Sequence, residues 1–390
     1  MKNMTGTSPA LDAEWPLLLA ACSAGSNNEK QIRLRALLHE PIRWNALFAL
    51  AERHGVQPLL YQALATCEDA IPPEPMRVLK QNCQTNLHKA MLLSRELIRI
   101  VDHLANVKCE VMPYKGLALA ETLYGDIALR QAGDIDLLIR APELPRIRGA
   151  LRELGYVPHS IFSETEERAY LESGYEYAFD GPAGPNLLEV QWAIQPRFYA
   201  VDFDMEGLLQ RSVSVTVAGC AMKTPSPEDL FIVLSLHAAK HVWGRLIWLC
   251  DLARIMNSPT LNWNWIADQA RELGIVRIIR VVVKLANRLL DVAVPAAAEA
   301  RLPKDSSAAE LAAEIQTYIA ASASYDVESI DYFRLMLWLR ERQSDRARFL
   351  TRLILTPGPS EWAAVRLPSS LFPLYRLVRL SRLASKFVSR

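Results

Sequence analysis

Apolar residues recur every three or four positions through much of the first hundred residues, the spacing of helices that bury one face. In 41–53, Trp44, Leu47, Phe48 and Leu50 follow Pro41, and the pattern stops before His54 and Gly55, which predicts a helix ending there. A second short helix is predicted over 57–67. Pro72, Pro73 and Pro75 then break the chain. A long helix is predicted from 76 to 106, with Leu87, Met91, Leu92, Leu97, Ile98, Val101 and Leu104 as its apolar stripe.

Near residue 107 the period shortens toward two. The runs 109–114 and 134–139 read as strands, separated by a turn at Lys115 and Gly116 and a short helix over 117–124. A helix over 142–154 ends at Gly155. The runs 175–180 and 187–194 flank a Gly- and Pro-rich turn and read as a hairpin, and a last short strand is expected within 213–223. Beyond Pro225 the helical period returns. Ser226, Pro227, Glu228 and Asp229 form a helix-opening signal: a capping hydroxyl, Pro in the first turn and acids against the helix dipole. Helices are predicted near 227–241, 245–256, 263–272, 275–290, 307–322 and 328–341. The expected fold is therefore α+β, a small mixed β-sheet core over 107–224. A helical region over 1–106 precedes it, and a second over 225–390 follows it.

Composition narrows the function without naming it. The chain has 390 residues, 51% of them hydrophobic and 22% charged, with a formal net charge of +1. Those values suit a globular protein and give no global basic field for nucleic acid. The six cysteines form no C-x-x-C pair, and their spacing fits neither a zinc knuckle nor a disulfide framework, so buried free thiols are expected. Charge and Pro interrupt the apolar stretch at the N-terminus, and no run is long enough to span a bilayer. A cytoplasmic location is the expectation.

The chemistry concentrates in 112–140. Asp134 and Asp136 lie two apart at the start of a predicted strand, so both side chains point to one face. Two carboxylates among hydrophobic neighbours repel each other and resist desolvation; a divalent cation relieves both. Magnesium suits that place because it accepts a few carboxylates and keeps positions for phosphate oxygens. A D-x-D alone is weak, since about one is expected by chance in this composition. A second, Asp202 and Asp204, falls in a loop-like stretch and reads as solvated surface. Context distinguishes the first pair: a Lys-Gly turn opening a helix upstream, Gly133 directly before and an apolar strand after.

The run from Lys115 and Gly116 through a short helix and Arg130 to Asp134-Ile-Asp-Leu-Leu-Ile resembles the uncharacterised nucleotidyltransferase family of the polymerase-β-like superfold. The similarity extends to the helical lead-in, to the strand carrying Glu189, Gln191 and Trp192, and to the helix with His237, His241 and Trp243. The resemblance implies a nucleoside triphosphate such as ATP as donor and two Mg2+ ions, with Mn2+ as a substitute. It implies Asp134, Asp136 and Glu189 as catalytic metal ligands, and Gly116 at the turn whose helix meets the triphosphate. It also implies a place among bacterial accessory enzymes of surface-polysaccharide or modified-peptide pathways, so that a sugar or peptide acceptor is expected. The chain departs from the pattern in having Lys115 before Gly116, a longer gap from Gly116 to Asp134, and Gln191 where the family would have His.

Each residue carries an alternative. Lys115 is either a phosphate contact or a solvated strand-end charge, and Arg130 either reaches phosphate or pairs with an acid. Glu189 is either a metal ligand or base, or the wet face of a sheet. His237, Lys240 and His241 share a helix face, where they line a nucleotide cleft, pack internally or, with Asp251, form a zinc site for a metallohydrolase. A catalytically idle binding or scaffold protein of the same fold is the competing functional reading. Residues 366–390 hold Arg366, Arg376, Arg379, Arg382, Lys386 and Arg390 with interspersed leucines, Phe387 and no acid. That basic amphipathic tail either docks on the bundle or lies on an anionic membrane or a partner.

Overall fold

The computed structural model describes residues 13–182, 184–321, 326 and 329–388. The N-terminal stretch read for a leader falls mostly on residues 1–12, outside that range. Arg390, the side chains of Lys386 and Phe387, and the expected helix boundaries at 322 and 328 lie outside it too. The fold is α+β, as expected. A five-stranded sheet runs in the order β1 (Met112–Pro113), β2 (Ile135–Leu138), β5 (Gly184–Gln191), β4 (Glu176–Gly181), β3 (Val157–Pro158). β2 and β5 are parallel, and the other neighbours are antiparallel. The single strand expected within 213–223 is instead a hairpin of β6 (Val213–Val217) and β7 (Cys220–Thr224), turned by Ala218 and Gly219, both at positive φ. An unexpected helix, Glu164–Ser173, precedes β4 and opens with a capping box between Ser163 and Glu166.

Alternation divides the sheet. Ile135, Leu137, Leu188, Val190, Tyr177 and Phe179 join one hydrophobic cluster with the second half of the helix Pro73–Asn106. The opposite positions, Asp136, Glu189 and Gln191, are left for the other face. A second cluster unites the N-terminal helices with those beyond Pro227. The helix Pro73–Asn106 serves both clusters, Met76 and Leu79 in one and Ala90, Leu93, Leu97, Ile100 and Leu104 in the other. Its buried face differs from the expected stripe: Met91 and Leu92 are 55% and 69% exposed. A helix with apolar residues on two sides cannot reveal which side its neighbours cover.

Local signals fix the other joins. The Ser226 hydroxyl accepts from the Asp229 amide and opens the helix Pro227–Lys240. Asp204 caps the helix Met205–Gln210, and Asp202 pairs with Arg352, so the second D-x-D serves the surface. The last helix, Tyr375–Val388, docks through Arg379 and Arg382, which both bind buried Glu361. Leu371, Leu374, Leu377 and Leu380 remain exposed. Among the described residues no helix is long and apolar enough to cross a membrane.

His54 ties the two helical regions together. Fully buried, it accepts from the Leu246 amide through Nδ1, while its carbonyl accepts from the Ile247 amide. Burial, aided by Arg53 and Arg245, pushes its imidazole down to about 4. The folded state therefore refuses a proton that the unfolded chain takes up near pH 6.5, so stability is lost as pH falls from 6.5 to 4. Over that window the protein should lose about 3 kcal/mol more than a His54→Asn variant, whose amide oxygen keeps the acceptor without titrating. Denaturant melts of both at pH 7, 5.5 and 4.5 check the difference.

Candidate active site

Asp134 precedes β2 and Asp136 lies within it, directly opposite Glu189 on the parallel neighbour β5. Adjacent strands stand about 4.8 Å apart, so the register alone brings the two carboxylates together. One strand further on, Glu176 of β4 faces Gln191. Gln191 is the hub. Its Nε2 donates to Glu189 at 3.0 Å, to Glu176 at 3.0 Å and to Asp136 at 3.3 Å, and its Oε1 accepts from the Tyr114 hydroxyl at 2.5 Å. The carboxamide standing where the resemblance implied His therefore holds three acids in place.

Lys115 closes the other side. Its Nζ lies 2.9 Å from Asp136 Oδ1 and 4.7 Å from the Tyr114 ring centroid. Burial disfavours the ammonium, but the Asp136 and Tyr114 contacts win and hold its pKa above the ordinary value. Gly116 follows at φ +50°, and a Cβ there would stand 3.3 Å from the Asp134 carbonyl, so the tight approach of this turn to the strand requires glycine. The short helix it opens, Gly116–Leu119, passes into a π-helical turn over Ala120–Tyr124 that ends at Gly125 in the left-handed region. That turn brings the Tyr124 hydroxyl to Asp251.

The acids are under electrostatic pressure. Burial first, and then Asp136, push the Asp134 carboxyl up to about 6. The same two causes, with Glu176 added, push Glu189 up to about 8. Ionising the cluster is costly because burial and mutual repulsion both oppose it. All its charged donors are carboxylate oxygens, the chemistry that magnesium prefers. Among the described residues, no three His, Cys, Asp or Glu side chains are already drawn around one point as metal ligands. Lys115 and Gln191 occupy the contacts between them.

A cavity of about 320 Å3 opens onto this cluster. His237, Lys240 and His241 border it from the helix Pro227–Lys240 and its end, with His241 as the C-terminal cap. The imidazole rings are 4.8 Å apart and Trp248 packs on both. Burial and neighbouring cations lower both histidines, His241 to about 3, so they are neutral hydrogen-bonding groups. Burial also lowers Lys240, to about 8; its Nζ donates to the Tyr175 hydroxyl, which itself donates to Glu176. Val242 and Trp243 follow at φ +52° and +50°, a costly backbone for a β-branched and a bulky residue. Both are fully buried, and their amides are held by Ala239 and Ala238. This turn directs Lys240, His241 and Arg245 into one cavity.

Arg130 also borders this cavity. It is buried, and its guanidinium binds Asp251 through three contacts of 2.9–3.1 Å, with a weaker one to the Gly116 carbonyl. Of its two sequence readings, pairing with an acid is observed, and the same side chain stands on the cavity wall where the other would apply. The same geometry commits Asp251 to Arg130 and Tyr124, away from a zinc site with His237 and His241. Sequence reasoning missed Tyr114, Tyr175, Glu176 and Arg245. Glu176 follows from the hairpin once its register is known; nothing local marks the others.

A model of the family described as uncharacterised nucleotidyltransferase matches residues 40–291. No curated protein matches the chain. An antigenic nucleotidyltransferase-like protein from Paracoccidioides brasiliensis is similar at 18% identity over 46% of this chain and 86% of that one. Its TM-score of 0.30 is too low to bear on the site. The family match spans well over half of the chain and includes both strands that carry the acids, and the protein therefore belongs to the uncharacterised nucleotidyltransferase family.

Proposed function

We propose that this protein is a magnesium-dependent nucleotidyltransferase that moves a nucleoside monophosphate from a nucleoside triphosphate to a hydroxyl, or similar nucleophile, of a small-molecule, sugar or peptide acceptor. The observation that carries this reading is the parallel register of Asp136 with Glu189, beside Asp134, at the edge of a polar cavity. Asp134, Asp136 and Glu189 would hold the ions, Mg2+ or in its place Mn2+. Two such ions, when bound, neutralise charge on the reacting phosphate and lower the cost of nucleophilic attack.

The chain's own groups position and neutralise. Lys115 stays protonated beside Asp136 and adds fixed positive charge where the triphosphate arrives. Gly116 allows the chain to turn close against Asp134 and open its helix toward the phosphates. His237, His241 and Lys240 supply donors from the facing wall, and Arg130 with Asp251 fixes the Gly116 turn from beneath. The acceptor oxygen forms a bond to the α-phosphorus as the bond to the β-phosphate oxygen breaks. The electron pair leaves on pyrophosphate, and the acceptor's proton passes to Glu189 in its ionised form.

One observation supports a second reading. Lys115 and Gln191 already contact Asp136, and Gln191 also Glu189, as in a nucleotide-binding or scaffold protein that no longer turns over. Incubation with each labelled nucleoside triphosphate, magnesium and a panel of sugar and peptide acceptors separates the two. The enzyme releases pyrophosphate and labels an acceptor; the idle protein binds triphosphate and does neither. The exposed leucines and acid-free sequence of 366–390 also support a peripheral contact there with an anionic membrane or a partner.

A further inference from the structure

The cavity at the carboxylates continues past Ala132 and Gly133 into a second, polar cavity of about 420 Å3, with Gln131, Arg245 and Ile247 also bordering both. Its walls come from outside the sheet. Lys89 comes from the helix Pro73–Asn106, and Arg245 stands at the start of the helix Leu246–Met256. Neither Lys89 nor Arg245 forms an ion pair among the described residues, whereas Arg130 is consumed by Asp251 and Lys115 by Asp136. Gln57, Asn82, Thr85 and Asn86 add neutral polar groups, and Glu52 adds one carboxylate against the two cations. Among the described residues the buried Gln131 Oε1 has no hydrogen-bond partner; as an acceptor it calls for a donor such as a magnesium-bound water rather than a phosphate oxygen, and beside it Gly133 leaves open space on the side a Cβ would fill.

Unpaired cations, amide side chains and an open glycine next to an acid cluster suit a ligand of high negative charge with many acceptor oxygens. We propose that this second cavity seats the β- and γ-phosphates of the nucleoside triphosphate, between Lys89 and Arg245. The inference rests on the nucleotidyl-transfer reading and gives the reaction a direction. Pyrophosphate leaves toward the helical regions, on the Asp134 side of the cluster. In-line displacement then puts the attacking oxygen on the opposite side, across Glu189 toward Glu176 and Tyr175. Tyr175, on that side, borders both the catalytic cavity and a separate cavity of about 320 Å3 whose wall includes Tyr170, Phe198 and Phe333.

Calorimetric titration with inorganic triphosphate in magnesium buffer tests the seat without knowledge of the nucleobase, with inorganic phosphate as the control. Lys89→Ala and Arg245→Ala should each weaken triphosphate binding about tenfold and phosphate binding much less, because a single phosphoryl group meets fewer of these contacts. Lys89 is exposed, so its variant folds; Arg245→Lys, which keeps the charge, should retain most of the affinity. Triphosphate affinity unchanged in both alanine variants, or an equal loss for triphosphate and phosphate, overturns the assignment. Pyrophosphate release by the parent protein is scored separately. Release with unaffected variants removes the seat and keeps the transferase. Triphosphate binding that depends on both cations, without release from any nucleoside triphosphate, keeps the seat and removes the transferase.

Discussion

An Asp136→Asn variant is expected to lose at least about a thousandfold in nucleotidyl transfer while keeping its fold. Asp136 joins both sides of the cluster: it binds Lys115, accepts from Gln191 and lies in register with Glu189. The asparagine retains shape and one acceptor oxygen but removes the charge that a divalent ion and Lys115 both require. The partly buried Lys115 ammonium then lacks its partner, so the melting temperature should fall as well. A Lys115→Met, Asp136→Asn double variant separates the effects. It should regain part of the lost stability because the Lys115 ammonium no longer stands without its partner, and it should stay inactive. Pyrophosphate release and thermal melts of the three proteins decide the matter, and a normal rate in Asp136→Asn would refute the assignment.

The second large effect lies beneath the site. Replacing Asp251 by Ala leaves the buried Arg130 guanidinium without its carboxylate and the Tyr124 hydroxyl without its acceptor. Breaking a buried ion pair from one side costs about 3–5 kcal/mol, chiefly through the uncompensated charge left behind. The loss should appear as an early thermal transition. An Arg130→Leu, Asp251→Leu double variant should recover most of it, because two apolar residues remove the desolvation cost together. A single variant as stable as the parent would show that Arg130 reaches water or another acid. If zinc held by Asp251 were the true role, the parent would contain stoichiometric metal that the variant lacks.

How much of the site could be read from the sequence follows from the range of the interactions. Asp134 and Asp136 were legible because a strand's two-residue period is local, and Gly116 because a tight turn has a local demand. Glu189 was found by resemblance, and its strand alternation left it open to a bland reading until β5 was seen parallel to β2. Gln191 stood out only as a departure from the family pattern. Its role as a hub needed Glu176 opposite it and Tyr114 beside it, residues 15 and 77 positions away. Arg130 offered two partners on paper, and only the packing of the helix Leu246–Met256 against the π-helical turn chose Asp251. The buried face of the helix Pro73–Asn106 was misjudged for the same reason: Met91 and Leu92 have helical spacing but are left exposed among the described residues.

By itself the sequence determined the alternation of helical and extended stretches, the caps and breaks between them, and the placement of paired acids at the start of a strand. Those features depend on dihedral preferences and contacts within a few residues. Tertiary structure alone decided which acids share a face, which cations remain unpaired beside them, and where two cavities meet. Such pairings join residues tens to more than a hundred positions apart, and their energies exist only after burial has removed the water that would otherwise satisfy each group separately.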